Sequence, residues 1–251
     1  PLLAWKRGDI LGVAQRLMAA FGAGLVMITI VAVAEGSVFT LAPFGIGLAL
    51  FIMMGAMTDI AERIGLLRAP LSVVRQRAAG LPRSTWGTAF AHFGIAVTLL
   101  GIVSVSTWAT ERIVAVKVGQ SISLSGFELT FDGLVQRSGA NYRELGGKFT
   151  VRQGSVAVAT MEPTKRSFAS RETTTTEAAL MTRGFSQLYL SLGDVNSDGS
   201  VAVRLYYKPM VLLIWIGSIV MMLGGALSLS DRRLRVGAPK PAAKPAVQPA
   251  E

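Results

Sequence analysis

The residue best suited to carry chemistry in this sequence is His92. It is the single histidine of a 251-residue chain, and it lies within the apolar run Thr85–Val105. An ionisable side chain inside a membrane span is energetically costly and is a functional candidate by default. It lies eight residues after Ser84, or about 12 Å along a helix that rises about 1.5 Å per residue. Three roles are open to it: hydrogen bonding to a neighbouring helix, proton relay and metal ligation.

Small side chains flank His92 on its own helix face. Thr88, Ala89 and Ala96 lie four residues before, three before and four after it, spacings that place side chains together on a helix. They predict a slot through which a flat macrocycle could reach an imidazole nitrogen. A proton relay would need a second acid or histidine, and this span has none. The pattern therefore favours haem ligation, with His92 bound to the iron and Thr88, Ala89 and Ala96 beside the cofactor. A purely structural histidine stays open.

Four apolar runs must position this residue, and they indicate a membrane protein. The chain is 51% hydrophobic and only 16% charged, whereas soluble domains carry about 25% charged residues. A run of about 20 apolar residues crosses the hydrocarbon core of a bilayer. Four runs have that length: Leu17–Ala34, Val38–Met57, Thr85–Val105 and Pro209–Leu229.

The charge pattern gives the orientation of the spans. The segment Thr107–Lys208 holds 12 of the 25 basic residues and nine of the 15 acidic ones. The other 13 basic residues lie in alternate loops, which the positive-inside rule assigns to the cytoplasm. We therefore expect a cytoplasmic N-terminus and spans that run out, in, out and in. This distribution argues against a nucleic-acid site despite the net charge of +10, and the absence of cysteine excludes disulfides and thiol chemistry within the chain.

The segment between the last two spans has the pattern of an all-β domain. Polar and apolar residues alternate in Phe127–Phe131, Lys148–Arg152 and Ser200–Leu205, which indicates about seven short antiparallel strands in a small sandwich or barrel. Thr173–Thr176 also favours a strand. Asp194–Gly199 begins like a calcium loop, but the twelfth position of that motif, where a calcium loop has an acid, is Leu205. We therefore predict a hairpin turn.

The predicted fold class is a membrane α-helical protein with four transmembrane helices and an extracytoplasmic all-β domain. Because the chain starts without methionine and its first residues resemble the end of an earlier span, we expect a fragment or a split subunit. The predicted organisation is: 1–16, cytoplasmic end of an earlier span and a linker; 17–57, transmembrane hairpin; 58–84, basic cytoplasmic loop; 85–106, transmembrane helix with His92; 107–208, periplasmic β domain; 209–230, transmembrane helix; 231–251, disordered cytoplasmic tail.

Several stretches together resemble one family. They are the β-rich external segment and these motifs: Ala91–Gly94 in a span, Val203–Pro209 entering the last span, Trp215, Gly224–Gly225 and Asp231–Arg233. On these features the sequence resembles the C-terminal part of cytochrome c maturation protein F (CcmF), the large subunit of the bacterial system I cytochrome c haem lyase, over roughly Pro1–Arg235.

The resemblance implies a haem enzyme of the bacterial inner membrane with its β domain in the periplasm. Family members hold a haem b between two transmembrane histidines, and His92 matches one of them. The family's Trp-rich WWD segment and its other haem-binding histidines do not occur here, so an N-terminal half or partner chain must supply them, and this chain alone is not expected to be catalytic. No catalytic residue is assigned to it.

The resemblance also implies partners. They are the haem chaperone, apocytochrome c with the maturation subunits that hold its thiols, membrane lipid, and quinol as a candidate electron donor. Basic residues of the β domain are candidates for docking these partners, although a solvated sheet face explains them equally: Arg137, Arg143, Arg152, Lys165, Arg166 and Arg171. The alternative function is a haem-free membrane scaffold that recruits maturation partners. A transporter half is weaker, because no span carries a charged residue at its centre.

Overall fold

A computed structural model of the chain describes residues 10–36, 40–168 and 173–231. The expected linker and tail at 1–9 and 232–251, and Arg171, lie outside these residues. The helices are α1 (Ile10–Glu35), α2 (Ala42–Ile64), α3 (Leu71–Gly80), α4 (Arg83–Trp108) and α5 (Leu212–Leu229). The strands are β1 (Thr110–Val116), β2 (Ser121–Leu124), β3 (Phe127–Ser138), β4 (Tyr142–Gln153), β5 (Val156–Met161), β6 (Thr164–Phe168), β7 (Thr173–Glu177), β8 (Ala179–Arg183), β9 (Ser186–Val195) and β10 (Val201–Lys208).

Four of the helices are long and apolar enough to cross a membrane, and the protein is multi-pass. These spans are Leu17–Glu35, Ala42–Ile64, Arg83–Trp108 and Leu212–Leu229. Three of them extend past the predicted bounds where polar residues continue the helix, whereas α2 and α5 begin at Ala42 and Leu212, later than predicted. The predicted start of the second span at Val38 lies outside the described residues. Helix α2 runs on to Ile64, so Asp59 belongs to the helix, where it pairs with Arg63 one turn later at 3.0 Å. The predicted loop 58–84 is thus largely helical, and it includes α3.

The spans form a row in the order α1, α2, α4, α5, in which each packs mainly on its neighbours. The short helix α3 lies beside α2, and the indole nitrogen of Trp86 in α4 donates to the carbonyl of Ala78 in α3 at 3.3 Å. A row differs from a closed bundle because it leaves two broad helical faces that no other described part of the chain covers. Many large apolar side chains of the spans are accordingly exposed.

The closest contact in the row joins α4 and α5 through glycines. Gly87, Gly94 and Gly101 recur every seven residues on α4 and face Gly217 and Gly224 on the antiparallel α5. A methyl group on Gly94 would lie 2.6 Å from the Gly217 carbonyl oxygen. Small residues at such positions let two membrane helices approach until their backbones touch.

We expect this interface to tolerate no added methyl group. A Cβ at Gly224 would lie 2.6 Å from both the Ala91 nitrogen and the Gly87 oxygen, whereas a Cβ at Gly225 would meet nothing within 4 Å. Gly224→Ala should therefore lower the free energy of unfolding in detergent by about 1–3 kcal/mol. Gly225→Ala is the matched control and should leave it unchanged or raise it by up to about 1 kcal/mol. Equal effects of the two substitutions would contradict the glycine contact.

The β domain consists of two antiparallel sheets packed face to face. One sheet has the order β1-β10-β9-β8, and the other has the order β2-β3-β4-β6-β7 with β5 also paired to β4. Ten strands form in the described residues where about seven were predicted, because five-residue segments such as β6 and β8 add strands. The Thr-rich strand and the hairpin turn at Asp198–Gly199 are confirmed.

Alternating apolar residues of both sheets fill a single core. The rings of Phe131 and Phe149 stack at 4.9 Å between centroids. Leu205, at the twelfth position of the calcium-like motif, is fully buried in this core and cannot serve as a ligand. The buried core residues are Val116, Ile122, Phe127, Leu129, Phe131, Phe149, Val151, Met161, Leu188, Leu190, Leu192, Val201, Val203 and Leu205.

The membrane helix pair continues directly into the sheet. Helix α4 leads into β1, β10 leads into α5, and β1 and β10 pair antiparallel from Thr110↔Tyr207 to Val116↔Val201. At the other end of the pair, the carboxylate of Asp231, which follows α5, accepts from the backbone nitrogen (3.0 Å) and hydroxyl (2.9 Å) of Ser84 in the first turn of α4. The pair is therefore held at both ends.

Asp231→Ala should weaken the contact between the C-terminal end of α5 and the first turn of α4. It removes the acceptor for both Ser84 donors and a negative charge beside a helix N-terminus, so we expect a loss of about 1–2 kcal/mol in unfolding free energy. Asp231→Asn keeps an oxygen acceptor and should lose less. Denaturant titration in detergent micelles measures the unfolding midpoint of each variant. An unchanged midpoint for Asp231→Ala would argue against a stabilising contact between Asp231 and Ser84.

Candidate functional site

The imidazole of His92 is held by its own helix. Its Nδ1 lies 2.8 Å from the backbone carbonyl oxygen of Thr88, one turn earlier. Because a carbonyl oxygen only accepts, Nδ1 carries the hydrogen and donates it. The lone pair of the neutral ring is then on Nε2, for which the described residues provide no hydrogen-bond partner. This is the arrangement in which a histidine can bind a metal through Nε2 while a carbonyl fixes its tautomer.

His92 lines a cavity of about 170 Å³ at the junction of three helices. Thr88 and Ala89 line the same cavity, as the spacing on α4 predicted. The remaining walls come from helices that sequence spacing could not bring to His92: Leu17 of α1, and Phe51, Ile52, Gly55, Ala56 and Asp59 of α2. Glycine and alanine on the α2 side leave room in front of the ring.

Ala96 lies outside this cavity. It was expected beside the ring because it follows His92 by one turn, but its side chain is completely buried. The cavity extends from His92 toward the Arg83 end of α4, where Thr88 and Ala89 lie. Ala96 is on the opposite side of the ring along the helix, in a packed region.

Asp59 brings a carboxylate to the same cavity. The side chain is 16% exposed, and its Oδ1 accepts from Arg63 Nε at 3.0 Å, so its charge is offset within its own helix. Asp59 supplies the second ionisable group that the apolar run Thr85–Val105 lacks. Proton transfer therefore stays open as a role for this site. Within the described ranges, no three His, Cys, Asp or Glu side chains gather into a metal site.

A second, almost wholly apolar cavity adjoins the first. It measures about 290 Å³ between α2 and α4, and it shares Ala56 and Ala89 with the His92 cavity. Aromatic rings of α4 form one of its walls: Trp86, Phe90 and Phe93. Only two alanine side chains are common to the two spaces, so the His92 site borders a region suited to hydrocarbon.

Most of the basic residues proposed for docking are already paired within the β domain. Arg166 Nε contacts Glu144 at 2.6 Å, and Arg137 contacts Glu162 at 2.6 Å. Lys165 contacts Asp194 at 2.6 Å. Arg152 donates to the carbonyl of Ser155 at 3.4 Å. Of the described residues in this set, Arg143 is the one with neither an ion pair nor a side-chain hydrogen bond, so it is the member most available to another molecule.

Comparison with known proteins decides the family. A family model described as the CcmF C-terminal β-sandwich matches residues 107–209, the segment that folds as the two-sheet domain. The chain is 56% identical, over its whole length, to the cytochrome c-type biogenesis protein CycK of Bradyrhizobium diazoefficiens, and 49% identical over 97% of its length to CycK of Rhizobium meliloti. It is 33% identical over 94% of its length to CcmF of Escherichia coli. The chain belongs to the CcmF family.

The CcmF fold also extends beyond the β-sandwich. A solved structure titled cytochrome c haem lyase CcmF superimposes on 90% of this chain with a TM-score of 0.66 at 19% identity. The chain spans 38% of the length of the Bradyrhizobium relative and 36% of the length of the solved CcmF chain. The shared architecture therefore includes the membrane helices together with the β domain.

The CcmF β-sandwich carries a polar groove near its paired charges. The groove has a volume of about 740 Å³ and is lined by the ends of β3 and β9, the start of β4, and β6 and β7. Arg143, Arg137 and Lys165 contribute cations to it, and Glu144 and Asp194 contribute carboxylates. Glu144 is the buried member of this set, so its two arginine contacts anchor one wall of the groove.

Glu144 should make the β-sandwich sensitive to acid. Its hydrogen bond from Arg166, with a further one from Arg137, lowers the pKa of this carboxyl below its ordinary value of 4.5. The ion pair therefore stabilises the fold fully above pH 4.5, and this stabilisation is lost as the pH falls through the lowered pKa. We expect Glu144→Gln to be less stable at pH 7 and to lose less stability than wild type on further acidification.

Glu128→Gln is the control for this prediction. Glu128 is exposed on the neighbouring strand β3, and the described residues offer it no ion pair. This variant should follow the wild-type dependence of unfolding midpoint on pH, as measured by near-ultraviolet circular dichroism in detergent. Identical acid profiles for Glu144→Gln and wild type would rule out the Glu144 network as the cause.

Proposed function

We propose that this chain is part of a membrane cytochrome c haem lyase, which attaches haem covalently to apocytochrome c, and that His92 is an axial ligand of a transmembrane haem b. The observation that carries the proposal is the 2.8 Å contact from His92 Nδ1 to the Thr88 carbonyl. It leaves the lone pair of Nε2 free to bind a metal, in a residue that lines a cavity. The family membership supports the reaction, because the solved relative is titled a haem lyase.

The residues around His92 fit such a ligand. The ring is oriented by the Thr88 carbonyl and flanked by small side chains, and the apolar surroundings lower the local dielectric. A haem macrocycle is larger than a cavity of about 170 Å³, so most of it would lie beyond these walls, against an open face of the helix row. A second axial histidine would have to come from elsewhere, since the chain contains one histidine.

The chain's own residues would hold and orient the ligand. The Thr88 carbonyl fixes the tautomer and the plane of the imidazole, while Gly55, Ala56 and Ala89 keep the approach to it clear. Asp59 pairs with Arg63 one turn later and lines the same cavity as the ring. A bound haem b would supply one-electron redox chemistry at this position.

The partners we propose follow from what this chain lacks. An N-terminal half of the lyase would bring the WWD segment and the remaining histidines, and the chain's 38% share of its Bradyrhizobium relative leaves room for them. The haem chaperone, apocytochrome c and its thiol-holding subunits would dock on the β domain, for which Arg143 and the polar groove are the candidate surface. Quinol would be the electron donor.

The proposed location is the bacterial inner membrane with the β domain in the periplasm. It is supported by the alternation of basic segments, because 13 basic residues lie outside the β domain and its flanks. The two helices that bound the β domain, α4 and α5, both have their outer ends at that domain. The orientation follows if the remaining basic segments are cytoplasmic.

The second candidate function is a haem-free scaffold that positions maturation partners. One observation favours it. The Thr88 contact already satisfies one nitrogen of the imidazole within the helix, and a half-buried structural histidine needs no more than that. The two functions differ in one property, the presence of a haem ligated by His92.

Absorption spectroscopy separates the two candidates. The chain is co-expressed with an N-terminal half of a CcmF protein, purified in detergent and compared in reduced and oxidised states. Wild type should show a sharp b-type band, and His92→Ala should lose it. Ile95→Ala, on the same helix but outside the cavity, is the matched control and should keep the band. His92→Gly should regain a band when free imidazole is added, which a purely structural histidine would not produce.

The opposite outcomes are equally clear. A band that survives in His92→Ala at full intensity would remove His92 from the ligand set. No band in wild type, with folding verified by circular dichroism, would favour the scaffold.

A further inference from the structure

The tip of the β8–β9 hairpin is fastened to the start of the last membrane helix. The backbone nitrogen of Leu212 donates to the carbonyl of Phe185 at 3.1 Å, and the nitrogen of Met210 donates to the hydroxyl of Ser186 at 3.3 Å. Leu212 is the first residue of α5. The hairpin tip is therefore level with the end of a membrane span, although it belongs to the β domain.

The depth of this tip can be gauged against Trp108. A methyl group on Gly101 of α4 would lie 2.7 Å from the nitrogen of Ile214, so these two residues are level across the antiparallel helix pair. Leu212, two residues before Ile214, is then level with about residue 103 of α4. Helix α4 continues to Trp108, which is five residues or about 7 Å further out. Tryptophan is typical of the membrane–water interface, so the hairpin tip lies on the hydrocarbon side of that level.

The side chains at the tip have the chemistry of an interfacial anchor. The ring of Phe185 is 56% exposed, and Met210 beside it is 44% exposed. Arg183, at the end of β8, is exposed as well. An aromatic ring next to a long basic side chain suits the headgroup boundary, where the ring enters the acyl region and the guanidinium reaches lipid phosphate.

The backbone at the tip is also prepared for low water content. An unpaired carbonyl in the acyl region is costly, and the Phe185 carbonyl is bonded to Leu212. Trp215, three residues after Leu212 and so on nearly the same side of α5, is 66% exposed. An apolar exposed face of the span thus runs up to the tip.

We propose that the β8–β9 tip inserts Phe185 into the lipid bilayer, with Arg183 at the phosphate level, on the side from which the β domain emerges. The occupant of this surface is lipid, because the tip is bonded to the span at a depth where lipid surrounds a membrane helix. The insertion adds a third attachment to the two chain connections at α4–β1 and β10–α5. It fixes how far the β domain can lean over the membrane, and it is independent of haem binding.

Spin labelling tests this proposal directly, because the chain contains no cysteine. A single cysteine is introduced as Phe185→Cys or Val118→Cys, labelled with a nitroxide, and the protein is reconstituted with the polypeptides that co-purify with it into phosphatidylethanolamine–phosphatidylglycerol liposomes. Val118 is the control. It is an apolar residue with 65% exposure, and it follows the seven-residue strand β1, about 20 Å from α4 at 3.3 Å per residue.

The label at 185 should collide readily with oxygen and poorly with a water-soluble nickel chelate, at a depth of about 5–10 Å below the phosphates. The label at 118 should show the reverse. Nickel accessibility at 185 equal to that at 118 would place the tip in water and overturn the proposal. Protection of 185 from both reagents would show that protein covers it, which also overturns the proposal.

A label at Arg183→Cys reports the same tip with the Phe185 ring intact, which guards against local unfolding in the first variant. It should report a depth near the phosphates, clearly nearer the membrane than Val118. A fully aqueous signal there would overturn the proposal as well.

Discussion

The architecture depends on the contact of two backbones within the membrane. Where Gly87, Gly94 and Gly101 meet Gly217 and Gly224, α4 and α5 touch without side chains between them. This contact fixes the rotation of α4 about its own axis. His92 lies two residues from Gly94, about 200° around the helix, so packing the glycine face on α5 turns the imidazole toward α1 and α2. The position of the only histidine is thus set by residues that never contact it.

The same contact carries through to the β domain. Helix α4 leads into β1, and β10 leads into α5. The antiparallel packing of the two helices therefore continues directly into the antiparallel pairing of the two strands. At the outer ends of the spans, the carboxylate of Glu35 accepts from Trp108 Nε1 at 3.0 Å and from Thr40 at 2.7 Å. This ties α1 and the start of α2 to the end of α4, so the row of helices and the sandwich share one frame.

The arrangement of the helices in a row limits how much of a binding site this chain can form around His92. A closed bundle would surround His92 on all sides, but a row offers one wall, here built from α1, α2 and α4. The chain accounts for just over a third of the length of its Bradyrhizobium relative. An imidazole with a fixed tautomer on an open wall is well placed to be completed by residues from another segment.

Much of this fold could be predicted from the sequence, because its strongest signals are periodic. Apolar runs gave the four spans, and alternation gave strands β3, β4 and β10. The ends of the helices could be predicted less well, because the charged residues Asp59 and Glu62 continue α2 past its apolar run. The number of strands was underestimated because β6 and β8 have only five residues each, too few for a clear alternating pattern.

The candidate site divides in the same way. Thr88 and Ala89 share a helix face with His92, so spacing alone identified them. Gly55 and Asp59 reach the cavity across a helix–helix contact that one sequence cannot reveal. A signal for them did exist, in the small pair Gly55–Ala56 followed by an acid one turn from Arg63. Ala96 was expected on spacing, but distance along the helix axis separates it from the cavity.

The segment α4–β1 is synthesised well before the segment β10–α5 with which it pairs. Helix α4 and strand β1 leave the ribosome about 100 residues before their partners β10 and α5, which at 5–20 residues per second is a delay of about 5–20 s. During that time the glycine face of α4 is in the bilayer without its partner, while the β domain is being synthesised. The pairing of α4 with α5 and of β1 with β10 is therefore completed in a single step, once β10 and α5 have been synthesised.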